Sequence, residues 1–319
     1  FPTRRSSDLD FNGDGNLDLA VTLAGASAVQ VLKGSANGAL SSGQLIAVGT
    51  NPLGIATANT NGDGKADLLV ANSDSGTFQS LFSHGNGQFG PLTSLDSTPT
   101  ALASGDIDQD GNPDVVVLHQ AAGKLSILKG TGRGVFGAIT TLTTLSQPKA
   151  VLLKDLNGDG YPELLVTSND SGLLRIYPNK KDGTLSFGTP VDYGVGGGPA
   201  VIRVADLNRD GILDIAVLNS SANSVSILWG QADGTYTAGP TLATGAGPSD
   251  LVVADLNSDG RLDLATANTN DNTVSVFLAN SSGGFQTKVD YASSASSGSL
   301  PAGLIAADLD GDQRVDLGV

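Results

Sequence analysis

Apolar and polar residues along this chain recur in one order about every 50 residues. A short apolar segment led by proline, such as Pro199–Ala205 or Pro248–Ala254, runs into an acidic, glycine-containing stretch. The leading prolines are Pro52, Pro99, Pro148, Pro199, Pro248 and Pro301, and a strand tolerates proline at its first residue. After the acidic stretch comes a second apolar run, as in Leu213–Leu218. Its length and β-branched content predict a buried strand. A third run alternates partly: Val29–Lys33, Leu125–Lys129, Val225–Trp229 and Val274–Leu278. Glycine turns follow at Asn86–Gly87, Gly132–Gly134, Asp182–Gly183, Asp233–Gly234 and Ser282–Gly284. A fourth, more polar segment, led by Phe89, Phe136, Phe187, Tyr236 or Phe285, closes the unit. Each repeat therefore predicts a four-stranded meander with the acidic stretch between its first and second strands. The fold expected is an all-β propeller of four-stranded antiparallel blades. A parallel β-helix is the competing repeat fold, but its repeats are shorter and its strands more uniform.

The acidic stretches carry the chemistry. Seven of them start 49, 47, 49, 51, 49 and 53 residues apart. Position 1 holds Asp10, Asn59, Asp106, Asp155, Asp206, Asp255 or Asp308. Position 3 holds Asn12, Asn61, Asp108, Asn157, Asn208, Asn257 or Asp310. Position 5 holds Asp14, Asp63, Asp110, Asp159, Asp210, Asp259 or Asp312, and position 9 holds Asp18, Asp67, Asp114, Glu163, Asp214, Asp263 or Asp316. Position 6 is glycine except for Gln313. Alternate oxygen-bearing side chains around a glycine turn are how a short loop wraps a hard cation. Position 7 varies (Asn16, Lys65, Asn112, Tyr161, Ile212, Arg261, Arg314), as expected if only its backbone carbonyl is used. An all-oxygen donor set of this size favours Ca²⁺ over Mg²⁺.

An EF-hand would need a glutamate at position 12, where Val21, Val70, Val117, Val166, Val217 and Thr266 stand, so that reading fails. Metal-free Asn/Asp/Gly turns are the bland alternative, and clustered carboxylates without a cation would repel. The loop starting at Asn59 has one carboxylate fewer and is expected to bind more weakly. The loop starting at Asp308 lacks the glycine and is the most doubtful. The expectation is about six Ca²⁺ sites with a structural role.

The charge balance supports bound cations. The chain carries 32 acids and 17 bases, and the loops hold 22 of the acids but only four bases: Lys65, Arg209, Arg261 and Arg314. Seven divalent ions would bring the formal charge of −15 to about −1. No basic stripe exists to neutralise phosphates, so nucleic acid is not expected as a partner. No apolar run approaches a membrane span. The absence of cysteine removes disulfides and thiolate chemistry.

Residues 1–9 fit nothing that follows and read as an adapter-like leader, and the chain stops inside a repeat at Leu317–Val319. Residues 10–319 are therefore expected to be one propeller domain, an interior piece of a longer protein with further domains.

The loops, the leading prolines and the Phe-Gly pairs at 89–90, 136–137 and 187–188 together resemble the FG-GAP/VCBS repeat family, which includes the N-terminal propeller of integrin α subunits. The resemblance covers residues 10–319. It implies seven blades in the parent protein. This chain would supply about six blades' worth: five complete ones over about 52–300, with strands two to four of a first blade and strand one of a last. It also implies ligand recognition on the blade face opposite the metal loops.

For an enzyme the sequence offers little. His84 and His119 have no nucleophile beside them in sequence and read as surface residues. No phosphate loop, nucleophile elbow or zinc signature appears, and Gly194–Gly198 precedes a strand-leading proline rather than a helix. The expectation is an extracellular, calcium-stabilised binding or adhesion module for a protein or glycan ligand. The alternative is a carbohydrate-binding or catalytic module, for which Trp229, Tyr177, Tyr193, Tyr236 and Tyr291 are the aromatic candidates. Extracellular location follows from the millimolar calcium that such oxygen sites require.

Overall fold

The computed structural model describes residues 5–11, 14–16, 18–35, 39–82, 93–95, 97–293, 300–308, 312 and 314–319, with the backbone alone at 5–9. Six four-stranded sheets follow one another, each a meander with its strands in sequence order. The first comprises Arg5–Leu9, Asp18–Leu23, Ala28–Lys33 and Ser41–Ala47; the second, Pro52–Ala58, Asp67–Asn72, Thr77–Leu81 and Thr93–Ser94. The third comprises Ala101–Gly105, Asp114–His119, Lys124–Gly130 and Phe136–Thr143; the fourth, Pro148–Lys154, Glu163–Ser168, Leu173–Tyr177 and Val191–Gly194. The fifth comprises Pro199–Ala205, Asp214–Asn219, Ser224–Gly230 and Tyr236–Ala243; the sixth, Pro248–Ala254, Asp263–Asn268, Thr273–Phe277 and Val289–Ala292. A two-stranded sheet, Ile305–Ala307 with Asp316–Gly318, ends the chain. There is no α-helix among the described residues. The chain divides into two compact units, Phe1–Val166 with Arg175–Val191, and Thr167–Leu174 with Asp192–Val319.

The second strand of each blade explains its continuous apolar run. Successive side chains point to opposite faces, and both faces are covered. In Asp114–His119, Val115 and Val117 join a core with Leu69, Ala71 and Phe78 of the preceding blade. Val116 and Leu118 join the next core, with Leu164, Val166 and Tyr177 of the following blade. The fourth strands are mostly exposed, and their polar composition follows.

The prolines open strands at Pro52, Pro148, Pro199 and Pro248. At Pro52, Pro199 and Pro248 the register slips by a residue just after the ring, which has no N–H to give the ladder. Pro99 and Pro301 differ: their strands begin at Ala101 and Ile305. The Pro301 carbonyl is taken by the hydroxyls of Ser249 (3.2 Å) and Thr269 (2.7 Å) instead of a ladder partner. The leading aromatic opens the fourth strand at Phe136 and Tyr236, whereas Phe187 and Phe285 form isolated bridges to Asn179 and Ala279 well before it. Phe89–Gly90, Asn86–Gly87 and His84 lie outside the described residues.

The first blade was expected to hold only its second to fourth strands. Its sheet has four, because residues 5–9 pair antiparallel with Asp18–Leu23, Arg5 opposite Val21 and Leu9 opposite Asp18. Leu164→Ala, at a fully buried side chain, is expected to cost about 2–5 kcal/mol. Ile139→Ala, at a side chain 44% exposed, should stay within about 0.5 kcal/mol. Urea unfolding of the two variants checks this.

Candidate metal centre

Each acidic loop is wound by its own carboxylates. The position-1 aspartate accepts from the backbone N–H groups of positions 5 and 6: Asp14 and Gly15 on Asp10, Asp110 and Gly111 on Asp106, Asp210 and Gly211 on Asp206, Asp259 and Gly260 on Asp255, at 2.7–3.1 Å. Asp155 does the same and also takes Asn157 and Gly158. Asn59, with one acceptor oxygen, holds only Gly62 N–H at 3.0 Å, so the second loop is wound differently. The position-5 aspartate accepts the position-7 N–H in all seven loops: Asn16, Lys65, Asn112, Tyr161, Ile212, Arg261 and Arg314 on Asp14, Asp63, Asp110, Asp159, Asp210, Asp259 and Asp312. Asp308 keeps its bond to Asp312 N–H. Asn12 and Asp310 lie outside the described residues. The position-6 glycines Gly15, Gly64, Gly111, Gly160, Gly211 and Gly260 all have φ between +80° and +90°, the conformation that requires glycine. Among the described residues position 4 is left-handed too, even where it is Gln109, Arg209 or Ser258, which the sequence pattern did not reveal.

In the first six loops the position-9 carboxylate is buried and has a second task, whereas Asp316 of the last is half-buried. One oxygen accepts the position-2 N–H, and the other accepts the N–H sixteen residues on, just past or at the end of the third strand. Asp18 holds Phe11 and Gly34, Asp114 holds Ile107 and Gly130, Asp214 holds Leu207 and Gly230, and Asp263 holds Leu256 and Ala279, at 2.7–2.9 Å. The recurring glycine there is steric, since a Cβ on Gly130 would lie 2.2 Å from the Pro113 carbonyl oxygen. Asp67 likewise takes the position-2 N–H, that of Thr60, together with the Thr60 hydroxyl, and residue 83, sixteen on, lies outside the described residues. Glu163 takes Leu156 N–H and the Asn157 side-chain amide. Burial pushes Asp114 up to about 6 against the pull of its two N–H donors, and raises Glu163, Asp214 and Asp263 for the same reason.

What differs among the loops is what neutralises the rest. Where position 3 is asparagine, its amide donates to a carboxylate: Asn61 to Asp63, Asn157 to Glu163, Asn208 to Asp210, Asn257 to Asp259. The third loop has Asp108 there. Asp106, Asp108 and Asp114 bring carboxylate oxygens within 4.8 Å of one another. Lys129, near the end of the third strand, pairs with Asp108 and with Asp110 at 3.0 Å. Burial, which would raise the Asp110 carboxyl, is outweighed by this ammonium and by Asn112, so it titrates low. Asp108 is only 8% exposed, and its Oδ1 has no hydrogen-bond partner. A buried, unpaired carboxylate oxygen among two other carboxylates wants a cation. This donor set fits a hard oxygen-seeking ion. Lys181 pairs similarly with Asp159, and Arg261 with Asp259.

The loops are also joints between blades. Gly134, in the third blade's last hairpin turn, donates to Thr60 O of the second loop at 2.7 Å. The Asn179 amide of the fourth blade donates to Ile107 O of the third loop at 2.9 Å. Gly283 of the sixth blade packs on Asn208 of the fifth loop.

His119, read as a surface residue, is fully buried. Its Nε2 lies 2.9 Å from Ser126 Oγ. Asn219 and Asn268 stand at the same place in their blades and bond Ser226 and Ser275, also seven residues on. His119 is thus one version of a repeated polar bridge. Gly196 and Gly245 pack against those asparagines so closely that a Cβ would lie 2.6–2.7 Å from the amide nitrogen. The aromatic candidates separate: Tyr177 is buried with its hydroxyl on Thr144, and Tyr193 meets Tyr236 edge to face at 5.7 Å. Trp229 and Tyr291 line two different clefts.

Repeated blades with an acidic loop between strands one and two define a class, the β-propellers built from acidic-loop repeats. A family model for the FG-GAP-like repeat matches residues 10–70, 59–117, 106–166, 155–217, 210–266 and 256–319. The chain belongs to that family. No curated protein matched the sequence. Among solved structures, the periplasmic gluconolactonase PpgL of Pseudomonas aeruginosa is similar over 92% of this chain and 86% of its own, with 17% identity and a TM-score of 0.67. BBS1N, solved in complex with ARL6DN, is similar over 98% of this chain and 86% of its own, with 14% identity and a TM-score of 0.67. A protein of unknown function from Desulfotomaculum acetoxidans is similar over 86% of this chain and 79% of its own, with 16% identity and a TM-score of 0.64. At these identities the likeness is one of fold. No helix among the described residues is long and apolar enough to cross a membrane.

Asp214→Ala, measured in chelator, leaves the Leu207 and Gly230 N–H groups unpaired. It is expected to cost about 2–4 kcal/mol, read by urea unfolding. Asp210→Ala, at an exposed carboxylate, should change the chelated protein by less than about 1 kcal/mol.

Proposed function

We propose that this chain is a calcium-stabilised binding module that works outside the cell. Its strand 1–2 loops hold Ca²⁺ as structural ions, and its ligand is a protein or a glycan. The observation that carries the reading is the third loop: Asp106, Asp108 and Asp114 converge, and the buried Asp108 Oδ1 has no partner. The ion would be held by positions 1, 3, 5 and 9, with the position-7 carbonyl. Bound there, Ca²⁺ supplies two positive charges that offset the clustered carboxylates. The carboxylates already wind the loop, and the loop already meets the next blade, so an ion held there would stiffen the joint between blades. Six or more loops of this kind fill where free calcium is about millimolar, as it is outside cells. Lys129 is a tethered competitor. Its ammonium occupies Asp108 and Asp110, which offsets one of the four negative charges of the third loop when calcium is scarce.

The reading is non-catalytic. The buried His119–Ser126 pair, at 0% and 1% exposure, is closed to a substrate. The gluconolactonase likeness is one of fold, so no reaction is carried over from it.

Thermal melts of this chain in roughly 2 mM CaCl₂ (about extracellular) and in excess EGTA test the proposal. Sites with dissociation constants of about 0.1 mM would add about 1.8 kcal/mol each, giving a large upward shift. Coincident melts would reduce the loops to turns. Lys129→Met is expected to bind calcium more tightly at the third loop, by about tenfold, seen as a tighter class in calorimetric titration. Unchanged titration would remove Lys129 as a competitor.

A further inference from the structure

A cleft of about 790 Å³ opens beside the fifth acidic loop. The only tryptophan in the chain, Trp229, lines it with Gln231, Thr237, Asn208 and the Ser281–Gly284 turn. Among the described residues no charged side chain lines it, although the chain as a whole is strongly acidic. We infer that this cleft binds a neutral sugar residue of an oligosaccharide, with the Trp229 indole as its stacking platform.

The cleft is built to keep its shape. Trp229 sits in the strand Ser224–Gly230, opposite Thr237 of the next strand. Part of the indole packs on the core formed by Leu207, Ala216, Ile227 and their neighbours. The ring can lie against its own sheet only because residue 239 is glycine: a Cβ there would stand 2.6 Å from Nε1. The Gln231 amide nitrogen donates to the Trp229 and Gly230 carbonyls (3.1 and 2.9 Å) and to Thr237 Oγ1 (3.1 Å). That fixes the amide beside the ring and leaves its carbonyl oxygen to accept from a ligand hydroxyl. The Thr237 and Ser281 hydroxyls add groups that can both donate and accept. Asn208 is held by Asp210, and Gly283 packs on it, so the acidic loop contributes a fixed residue to the cleft lining.

A rigid aromatic face with neutral amides and hydroxyls matches a sugar ring, which offers an apolar C–H face and a rim of hydroxyls. An anionic ligand such as a phosphate or a uronate would need lysine or arginine in the lining, and there is none. An apolar ligand would leave the amide and hydroxyl groups unpaired.

Because Trp229 is the only tryptophan, its fluorescence reports the cleft directly. The intact chain is titrated with maltohexaose, cellohexaose, laminarihexaose and xylohexaose, and with oligogalacturonate as the charged control, in calcium and again in EGTA. At least one neutral oligosaccharide is expected to shift the emission and to saturate, with a dissociation constant of about 1 mM or tighter, while oligogalacturonate does not. Trp229→Phe, which keeps a ring on the core, should weaken that binding about tenfold by calorimetry. Tyr291→Ala, in the other cleft, should leave it unchanged. Silence toward every neutral oligosaccharide overturns the assignment, as does binding that leaves the emission unmoved. A signal that persists in EGTA separates the cleft from the calcium reading, and a signal lost there ties it to Asn208. Should Trp229→Phe fail to fold, the wild-type fluorescence titration still decides.

Discussion

The bond on which this structure depends most is the one made by a buried carboxylate with two backbone N–H groups. Asp18, Asp114, Asp214 and Asp263 each begin a second strand and hold both the exit of the first strand and the end of the third. Three strands are thereby pinned at one residue. Burying an ionised carboxylate is expensive unless donors meet it, and at Asp114 burial still raises the carboxyl against its two donors. The position that looked like a metal ligand in the sequence is first of all the staple of its blade.

The rest of each loop is arranged around this staple. Among the described residues positions 4 and 6 turn left-handed and positions 1 and 5 collect the freed N–H groups, and in the second, third and fifth loops a residue of the next blade rests on the loop. A cation held by such a loop would act on neighbouring blades together. The loops are chemically unequal: asparagine amides donate to carboxylates in the second, fourth, fifth and sixth, Lys181 and Arg261 add a cation to the fourth and sixth, and the third has Lys129 alone. Among the described residues, only the third loop leaves a buried oxygen of its position-3 side chain unmatched.

At the far end of the second strand the repeat carries a different polar motif. Asn219, Asn268 and His119 each bond a serine on the third strand, seven residues on. Glycines before the leading prolines, Gly196 and Gly245, leave room for the asparagines. The bridge pins the second and third strands at that end, so the third, fifth and sixth blades are fixed by a polar contact at both ends and by apolar packing between.

The period of about 50, the four runs per repeat and the oxygen spacing were enough to determine the blade, its strand order, the glycines at position 6 and the family, because these are local patterns with one physical solution each. Other features depended on contacts between residues far apart in the chain. Sequence could not show that position 9 reaches the end of the third strand, that Lys129 sits on Asp108, or that the loops carry the joints between blades. Residues 5–9 look foreign by composition, yet they pair as a first strand, because a strand edge recognises backbone rather than side chains. His119 looked exposed because a lone polar residue at a strand end usually is; its partner Ser126 is in place only once the hairpin closes. Tertiary structure alone also distributed the aromatic rings, sending Tyr177 to the core and Trp229 to the wall of a cleft. Spacing along a strand sets which face a ring points to, but what covers that face comes from the neighbouring blade.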